Sequence, residues 1–353
     1  MKKYWSARIL NSTPYVYGEQ PKDRKYIKLN TNENPYSPSP KVVEAIKNFD
    51  FDRLKLYSDP NCTELKDAIS DYYKVGTKEI FIGNGSDEVL AFAFLAFFNP
   101  DDTILFPEIS YSFYDVYADF FGVGFERTKL NGDFSLSKED FMKENDGIII
   151  ANPNAPTSVY FEKSDIIDIL EKNREKVVIV DEAYIDFGGE SCIDLTEKYD
   201  NLLVVQTFSK SRSLAGMRVG FAIGNENLIN ALEAVKNSIN SYTLDMLATR
   251  AATEAMKDVE YFEMTRNKII TTREKTAKIL EENGFNVLPS KSNFLFASHN
   301  SIFAYDIFQK LREKGILVRY FSKPKIDNYL RISIGSEEEM ELFCKEIKEI
   351  VKK

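Results

Sequence analysis

The stretch TFSKSRSLAGMRVG at residues 207–220 decides how the rest of this sequence is interpreted. It overlaps the end of the apolar run NLLVVQTF at residues 201–208 and leads into a second apolar run, VGFAIG, at residues 219–224. Short apolar runs bounded by polar turns are typical of buried strands, so Lys210 stands where one such strand ends. A lysine held at that position beside other cations can act as an amine nucleophile; a solvated lysine on a turn is the alternative.

The composition limits what the protein can bind. With 353 residues the chain is too long for one compact core, so we expect two subdomains or one large domain with a cap. The net charge is −9, and the 46 basic and 55 acidic residues are intermixed without a long run of one sign. This pattern predicts that the chain binds neither nucleic acid nor a membrane surface, although it leaves room for a local basic pocket that binds a small anion.

The few cysteines and the single histidine exclude several kinds of site. Cys62, Cys192 and Cys344 are far apart and form no CxxC pair, which argues against a disulfide framework or a zinc site and indicates a reducing cytoplasm. His299 is the one histidine, so we expect no histidine-rich metal site and a surface position for His299 itself. The opening residues MKKYWSARIL lack an apolar signal core, and no run approaches about eighteen apolar residues, so we expect no membrane segment.

From about residue 60 the sequence alternates between helical patterns and short apolar strands. We predict strands at EIFIG (79–83), DTILFP (102–107), GIIIAN (147–152), KVVIVDEAY (176–184), NLLVVQTFSK (201–210) and VGFAIG (219–224). Strands that alternate with helices indicate an α/β fold with a mainly parallel sheet and helices on both faces. In such sheets, ligands bind at the carboxyl ends of the strands.

The pattern changes after about residue 225. A helical stretch at roughly 228–283 precedes further short strands and a final helix, which is an α+β arrangement typical of a second, smaller domain. We therefore predict an N-terminal arm with part of the small domain at residues 1–47 and a large domain at 48–240. A long linking helix and the C-terminal small domain would occupy residues 241–353.

Four polar features follow or interrupt apolar strands. GNGSDE at residues 83–88 opens a helix and would offer backbone N–H groups to an anion, although such a turn is often a plain loop. Asp181 ends a strongly apolar strand, where a carboxylate needs a positive partner unless it caps a turn. Arg218 follows Lys210 by eight residues and suits a phosphate. Arg331 lies inside the apolar strand NYLRISIG and suggests a bidentate carboxylate clamp, or else an edge-strand position.

Together these features describe one ligand. It has a phosphate that the glycine turn and Arg218 would bind, a protonated ring nitrogen that would face Asp181, and a carbonyl that would react with Lys210. A substrate bound beside it would have a carboxylate that Arg331 binds. Pyridoxal phosphate fits that description. Lys210 would then be there to form a Schiff base with it.

Over nearly its whole length the sequence resembles the fold-type I pyridoxal-phosphate aminotransferases, and within them the histidinol-phosphate branch. The matching stretches are TPYVYGEQ, KLNTNENPYSPSP, YSDP, GNGSDE, NPNAPT, DEAYIDF, TFSKSRSLAGMRVG, GILVRYF and YLRISIG. The resemblance implies a large domain with a mainly parallel central sheet, a smaller α+β domain, and a cytoplasmic homodimer.

The resemblance also implies roles for individual residues around the cofactor. Lys210 would bind the cofactor and then move the substrate's proton, while Asp181 would pair with the ring nitrogen. Tyr184 would bond the ring hydroxyl, and Tyr111 would stack on the ring. The phosphate would be surrounded by Gly85, Ser86, Asp87, Thr207, Ser209 and Arg218. Tyr57 would reach that phosphate from the neighbouring subunit.

On the substrate side, the resemblance and the strand pattern point to two arginines and two tyrosines. Arg319 ends the strand GILVRYF shortly before Arg331, so the two could face one pocket. Tyr15 and Tyr242 match family positions that close over the substrate. A second arginine with tyrosine hydroxyls suits a dianionic phosphate, whereas a surface arginine paired with a carboxylate is the alternative for Arg319.

One motif departs from the family. The family usually has an asparagine directly before Pro-Thr that contacts the ring hydroxyl, and this chain has Ala155 there. Asn154, just upstream, is our candidate for a shifted contact, with Asn152 also nearby. The motif usually ends in glycine and here ends in Ser158, so an altered activity is one interpretation.

The sequence therefore predicts an enzyme that exchanges an amino group between glutamate and imidazole acetol phosphate, giving histidinol phosphate and 2-oxoglutarate. The alternatives are an aromatic amino-acid aminotransferase, a threonine-phosphate decarboxylase and a pyridoxal-phosphate-binding protein that has lost catalysis. The first lacks a substrate phosphate, and the second releases CO₂.

Overall fold

The computed structural model describes residues 3–352. The helices are α1 (Ala7–Asn11), α2 (Pro40–Lys47), α3 (Thr63–Tyr73), α4 (Gly85–Phe97), α5 (Phe113–Phe121), α6 (Lys163–Lys172), α7 (Glu226–Ile239), α8 (Met246–Lys257), α9 (Val259–Glu282), α10 (Ala304–Glu313) and α11 (Glu337–Val351). The strands are β1 (Ile27–Leu29), β2 (Ile80–Gly83), β3 (Thr103–Pro107), β4 (Gly124–Thr128), β5 (Gly147–Ala151), β6 (Val177–Asp181), β7 (Leu202–Thr207), β8 (Gly220–Gly224), β9 (Phe285–Val287), β10 (Phe294–His299), β11 (Ile316–Tyr320) and β12 (Leu330–Ser333). Short 3₁₀ segments lie at Phe51–Lys55, Thr77–Glu79, Lys138–Phe141, Ile185–Phe187, Ile193–Glu197 and Ala215–Met217.

The larger sheet has seven strands in the order β2-β8-β7-β6-β5-β3-β4. Only β8 runs antiparallel to its neighbours in this sheet, which confirms the predicted mainly parallel sheet. All six predicted strands of this part of the chain are present, each a little shorter than predicted. The edge strand β4 was not predicted, because its exposed Glu126 and Arg127 interrupt the apolar pattern of a buried strand.

Helices cover both faces of this sheet. Val178 and Val180 of β6 pack into a core under α3, α6 and α8, while Ile179 between them packs into a second core under α4, α5 and α7. Because successive side chains of a strand point to opposite faces, a strand covered on both sides must be apolar throughout. The continuous apolar runs in the sequence reflect this arrangement.

The smaller sheet has five strands in the order β1-β11-β12-β10-β9. β1 pairs in parallel with β11, so the N-terminal segment joins the C-terminal sheet, as the sequence suggested. The predicted domain boundaries at residues 47 and 240 stay predictions. The helical stretch predicted for roughly residues 228–283 is divided into α7, α8 and α9, because Asp245 caps the start of α8 and Asp258 ends it.

His299 ends β10 and is half-buried rather than fully at the surface, since its Nδ1 accepts backbone N–H groups from Ser301 and Ile302. Within residues 3–352, no helix has the length and apolar character needed to cross a membrane. The carboxyl ends of β6 and β7 face the smaller sheet across a cleft, and the polar residues singled out from the sequence gather around it.

Candidate active site

The cleft has a volume of about 700 Å³, enough for a cofactor and a small substrate. Its large-sheet wall includes Asp181, Tyr184 and Lys210, which follow the ends of β6 and β7. Its small-sheet wall includes Arg319 and Arg331. The fold therefore brings together residues far apart in the sequence, such as Asp181 and Arg331, which are 150 positions apart.

Asp181 is the last residue of β6 and is only 5% exposed. Its Oδ2 accepts a hydrogen bond from the Tyr114 hydroxyl at 2.7 Å, and its Oδ1 accepts the Ala183 N–H at 3.2 Å. Burial raises the pKa of this carboxyl from its ordinary value of 3.8 to about 6. Neither hydrogen-bond donor carries a positive charge, so the carboxylate is suited to a cationic ligand atom.

Tyr114, on α5, was not predicted from the sequence. It is fully buried in an aromatic helix, FYDVYADFF, where a tyrosine normally belongs to the core. Burial and the neighbouring Asp181 raise its pKa well above the usual range, so it stays a neutral donor. Its role becomes visible only when the fold places its hydroxyl against Asp181.

Lys210 lies three residues beyond the end of β7 and is half-buried. Its Nζ donates to the carbonyl of Thr31 at 3.3 Å and lies 5.7 Å from the centre of the Tyr184 ring. The Asn34 side chain donates to the carbonyls of Lys210 and Ser211 at 3.0 and 3.1 Å. The loop before α2 therefore holds the lysine turn in place and leaves the amine at the cleft.

Two glycines shape a cradle at the start of α4. Gly85, the first residue of that helix, has φ 79°, and an added Cβ would lie 2.6 Å from Nη2 of Arg218. A Cβ on Gly220 would lie 2.4 Å from the backbone of Gly85. Only residues without a side chain permit this close approach. The cradle combines a helix N-terminus with Arg218, which is the chemistry that binds phosphate.

Hydroxyls and a carboxylate complete the cradle. Thr207 and Ser209 are joined through their hydroxyl oxygens at 3.0 Å, and Arg218 Nη1 donates to Ser209 Oγ at 3.4 Å. Asp87 accepts from Arg218 Nη2 at 3.3 Å and from the Tyr111 hydroxyl at 2.7 Å. Burial raises the pKa of Tyr111 well above its usual range, so this tyrosine is a neutral donor at the wall of the cleft.

The small-sheet wall is strongly cationic. Arg319 of β11 and Arg331 of β12 are directly paired in the antiparallel register. Arg331 donates from Nη2 to the Asn30 carbonyl at 2.9 Å, but its buried Nε has no hydrogen-bond partner. Burial lowers the pKa of Arg331, and the charge of Arg319 lowers it further. An unpartnered buried guanidinium donor is costly, so this wall is suited to an anionic ligand.

Tyr15 also lines the cleft and stacks on Phe113, with ring centres 4.3 Å apart. Tyr57 and Tyr242 lie outside the lining residues and stack on each other, with ring centres 4.6 Å apart. Both are exposed, Tyr57 by 80% and Tyr242 by 45%. Their expected contacts with a ligand therefore do not arise from the cleft of their own chain.

Asn154 is buried beneath the cleft, and its polar atoms are already used. Its amide donates to the Ile109 carbonyl and to Thr157 Oγ1, both at 2.9 Å, and its Oδ1 accepts from Ser110 at 2.8 Å. The lining residue at this point is Ala155. The cofactor contact predicted for Asn154 gains no support from this geometry and stays a prediction.

Comparison with known proteins shows the family to which the chain belongs. Residues 24–347 match the family Aminotransferase class I and II, and the chain belongs to that family. A histidinol-phosphate aminotransferase of Clostridium botulinum (strain Okra / Type B1) is 56% identical over 353 residues, covering 100% of both chains.

Two solved structures share the fold. The histidinol-phosphate aminotransferase of Clostridium acetobutylicum is 25% identical with a TM-score of 0.86, covering 92% of this chain and 99% of the other. That of Sinorhizobium meliloti, in complex with pyridoxal-5'-phosphate, is 22% identical with a TM-score of 0.86, covering 93% and 92%. The resemblance and the fold class predicted from the sequence are confirmed.

Proposed function

We propose that this chain is a pyridoxal-phosphate-dependent aminotransferase that exchanges an amino group between histidinol phosphate and 2-oxoglutarate. The observation that supports this substrate is the pair of neighbouring arginines, Arg319 and Arg331, because the buried Nε of Arg331 has no hydrogen-bond partner. The names of the full-length relatives at 56% identity support the same substrate.

The cleft residues fit pyridoxal phosphate. The cradle at Gly85 and Arg218 suits its phosphate, and the buried Asp181 suits a protonated ring nitrogen. Tyr184, which lines the cleft, would bond the ring hydroxyl, and the Lys210 amine lies 5.7 Å from the centre of the Tyr184 ring. When bound, pyridoxal phosphate supplies an electron sink that makes the proton on the amino-bearing carbon removable.

Each of these side chains would then perform one task. Lys210 would hold the cofactor through its Nζ, and the same amine would take up the proton from the amino-bearing carbon of the substrate. Asp181 would keep the ring nitrogen protonated, with Tyr114 fixing the orientation of its carboxylate. Arg218, Ser209 and the first N–H groups of α4 would hold and orient the phosphate.

The two-arginine wall supports a phosphate-bearing amino donor over an aromatic amino acid as the substrate. An aromatic amino acid brings one carboxylate, for which Arg331 alone suffices. Histidinol phosphate brings a phosphate dianion, and glutamate brings two carboxylates, so both partners of the proposed reaction use a doubly cationic wall. A threonine-phosphate decarboxylase would also need such a wall, and release of CO₂ distinguishes it.

A direct assay tests the substrate. The purified protein loaded with pyridoxal phosphate should transfer the amino group of histidinol phosphate to 2-oxoglutarate and release no CO₂. Its kcat/KM for histidinol phosphate should exceed that for phenylalanine or tyrosine. A preference for the aromatic amino acids would make the aromatic aminotransferase the correct function, and an unchanged absorbance spectrum on adding glutamate would indicate a chain without catalysis.

We also propose that the protein is a homodimer. Phe51, Leu54 and Leu56 are 58%, 53% and 61% exposed and lie next to the exposed Tyr57. With Tyr242 stacked on Tyr57, they form an apolar surface of the kind that another subunit covers. This arrangement supports delivery of Tyr57 to the cleft of the partner. The location we propose is the cytoplasm, where the buried, unpaired cysteines would stay reduced.

The shared site can be tested by mixing variants. Lys210→Ala and Tyr57→Phe dimers should each be impaired, and verified heterodimers of the two should regain activity, because one of their two clefts would contain both native residues. No recovery would mean that Tyr57 acts within its own chain or not at all. Leu54→Glu should weaken the dimer in light scattering, whereas Leu342→Glu, at a position 49% exposed on α11, should not.

A further inference from the structure

Asn32 lies at the edge of the cleft on the loop between β1 and α2, where it connects the small sheet to Tyr184. It is 1% exposed and has φ 58°, a backbone conformation that asparagine tolerates better than most residues. Its N–H donates to Ser333 Oγ at 2.9 Å, and its carbonyl accepts from the Asn293 amide at 2.9 Å. In the side chain, Oδ1 accepts from Ser333 Oγ at 2.7 Å, and Nδ2 donates to the Tyr184 hydroxyl at 3.0 Å.

The direction of these bonds follows from counting protons. Ser333 is 2% exposed and its Oγ accepts the Asn32 N–H, so the hydroxyl proton of Ser333 needs a buried acceptor. Asn32 Oδ1 is that acceptor, which turns the amide nitrogen toward Tyr184. Since the Tyr184 oxygen accepts from Asn32, the hydroxyl proton of Tyr184 is left to donate to something else. Tyr184 lines the cleft, so a ligand bound there can accept that proton.

The hydrogen bond from Asn32 to Tyr184 matters more in this chain because Ala155 lies nearby in the cleft wall. Ala155 lines the cleft, and its methyl group cannot donate a hydrogen bond to the cofactor's ring oxygen. The neighbouring Asn154 has committed its amide to Ile109 and Thr157. Neither Ala155 nor Asn154 can therefore donate to the ring oxygen beside Tyr184.

We propose that Asn32 is a positioning residue that holds the Tyr184 hydroxyl as a donor to the ring oxygen of the cofactor, with Ser333 fixing the direction of the Asn32 amide. This inference rests on the proposed use of pyridoxal phosphate. A donor at the ring oxygen stabilises its deprotonated form. The chain of hydrogen bonds from Ser333 through Asn32 to Tyr184, here called the relay, therefore lowers the pH at which the bound cofactor loses its proton. It also makes that pH depend on Ser333, a residue of the small sheet.

The test is a pH titration of the visible absorbance band of the bound cofactor, which reports protonation without turnover. Asn32→Gly tolerates the positive φ and removes only the side chain. It should raise the apparent pKa of the band by about 0.5 to 1 unit, the shift expected for loss of one oriented hydrogen bond. Asn32→Asp should raise it more, because a carboxylate accepts the Tyr184 proton and turns it away from the cofactor. Ser333→Ala should raise it less than Asn32→Gly.

A double variant separates positioning from a general structural effect. In the Tyr184→Phe background, Asn32→Gly should add no further shift, since the relay acts only through the hydroxyl. Thr276→Ala is the matched control, because Thr276 is buried in α9 and donates to the Thr272 carbonyl away from the cleft. Thr276→Ala should lower the unfolding temperature and leave the apparent pKa of the absorbance band unchanged.

Two results would overturn the relay. One is an apparent pKa of the band in Asn32→Gly that lies within about 0.2 unit of the wild-type value, although Tyr184→Phe shifts it. The other is an equal shift caused by Asn32→Gly in the wild-type and Tyr184→Phe backgrounds. A wild type that takes up no pyridoxal phosphate would instead disprove the proposed function, and the relay with it.

Discussion

The two walls of the cleft differ in how far their polar groups are already hydrogen-bonded within the chain. On the large-sheet wall, Arg218 lies 3.3 Å from the Asp87 carboxylate, and Asp181 accepts a hydrogen bond from Tyr114. On the small-sheet wall, Arg319 and Arg331 are register partners, and Arg331 Nε has no hydrogen-bond partner. The polar groups of the first wall thus already orient one another without a ligand, whereas a buried donor of the second has no partner.

This difference indicates which ligand stays and which one leaves. A wall whose groups already orient one another can hold a cofactor through every turnover without rearranging. A wall with unpaired positive charge gains most when an anionic substrate arrives, so its binding energy belongs to the substrate. Changes in the first wall should therefore affect all substrates alike, whereas changes in the second should depend on the anionic group of the substrate.

The largest loss is expected for Lys210→Ala. It should reduce turnover by at least about 1000-fold with every amino donor, because the residue supplies both the nucleophile and the proton carrier. Lys176→Ala, a surface lysine paired with Asp146, should be unaffected. Borohydride reduction of the wild type followed by peptide mapping should find the cofactor on Lys210. An adduct on another lysine would contradict the assignment.

Asp181→Asn should also affect all substrates, with a loss of turnover of about 1000-fold, since an amide cannot hold the ring nitrogen protonated. The loss should be the same for histidinol phosphate and for phenylalanine. Steady-state kinetics with both donors checks this. Turnover close to that of the wild type would show that the ring nitrogen does not depend on Asp181.

The same variant should have the opposite effect on stability without cofactor. Folding raises the pKa of Asp181 to about 6 from 3.8, so the folded chain binds this proton more tightly than the unfolded chain does. Ionised Asp181 therefore destabilises the cofactor-free fold above about pH 6, and the cost disappears below about pH 4. Urea unfolding of Asp181→Asn should show a gain of about 1 to 3 kcal/mol over the wild type near pH 8 and none near pH 4. A difference that does not change with pH would exclude this explanation.

Arg319→Ala tests the small-sheet wall. It should lower kcat/KM for histidinol phosphate by about 30- to 300-fold, the effect of losing a charge-assisted phosphate contact. The half-reaction with phenylalanine should change little, because Arg331 still binds its carboxylate. Arg174→Ala, which breaks a surface pair with Glu171, is the control. Equal losses on both donors would indicate a structural role for Arg319 and would remove the contrast between the walls.

The fold and half of this site follow from local sequence patterns. Asp181 and Lys210 could be predicted because each follows an apolar strand, and the ends of parallel strands meet at one edge of a sheet. Arg331 stood out because it interrupts an apolar strand. In each case the signal lies within a few residues of the functional group.

The positioning residues carry no such signal. Tyr114 reaches Asp181 across 67 sequence positions, and Asn32 reaches Tyr184 across 152. Each resembles its neighbours locally, Tyr114 as a core aromatic and Asn32 as part of a polar loop. The structure also separates Asn154 from Ala155, because adjacent residues of a tight turn point in different directions. Proximity in the sequence was a poor guide there.

The smallest effect is expected where this chain departs from its family. Ala155 is 5% exposed and lines the cleft, so Ala155→Asn would add an amide donor on the large-sheet wall near the proposed position of the ring oxygen. One more neutral hydrogen bond should lower the apparent pKa of the bound cofactor by about 0.5 unit or less, because part of the gain is lost in fitting a larger side chain. Ala155→Leu has a similar volume and no donor, so it should leave the pKa unchanged or raise it. The amide should also reduce the effect of Asn32→Gly, since the ring oxygen would no longer depend on Tyr184 alone. Equal effects of asparagine and leucine would mean that position 155 acts through packing, and a shift in activity confined to one amino donor would mean that it contacts the substrate.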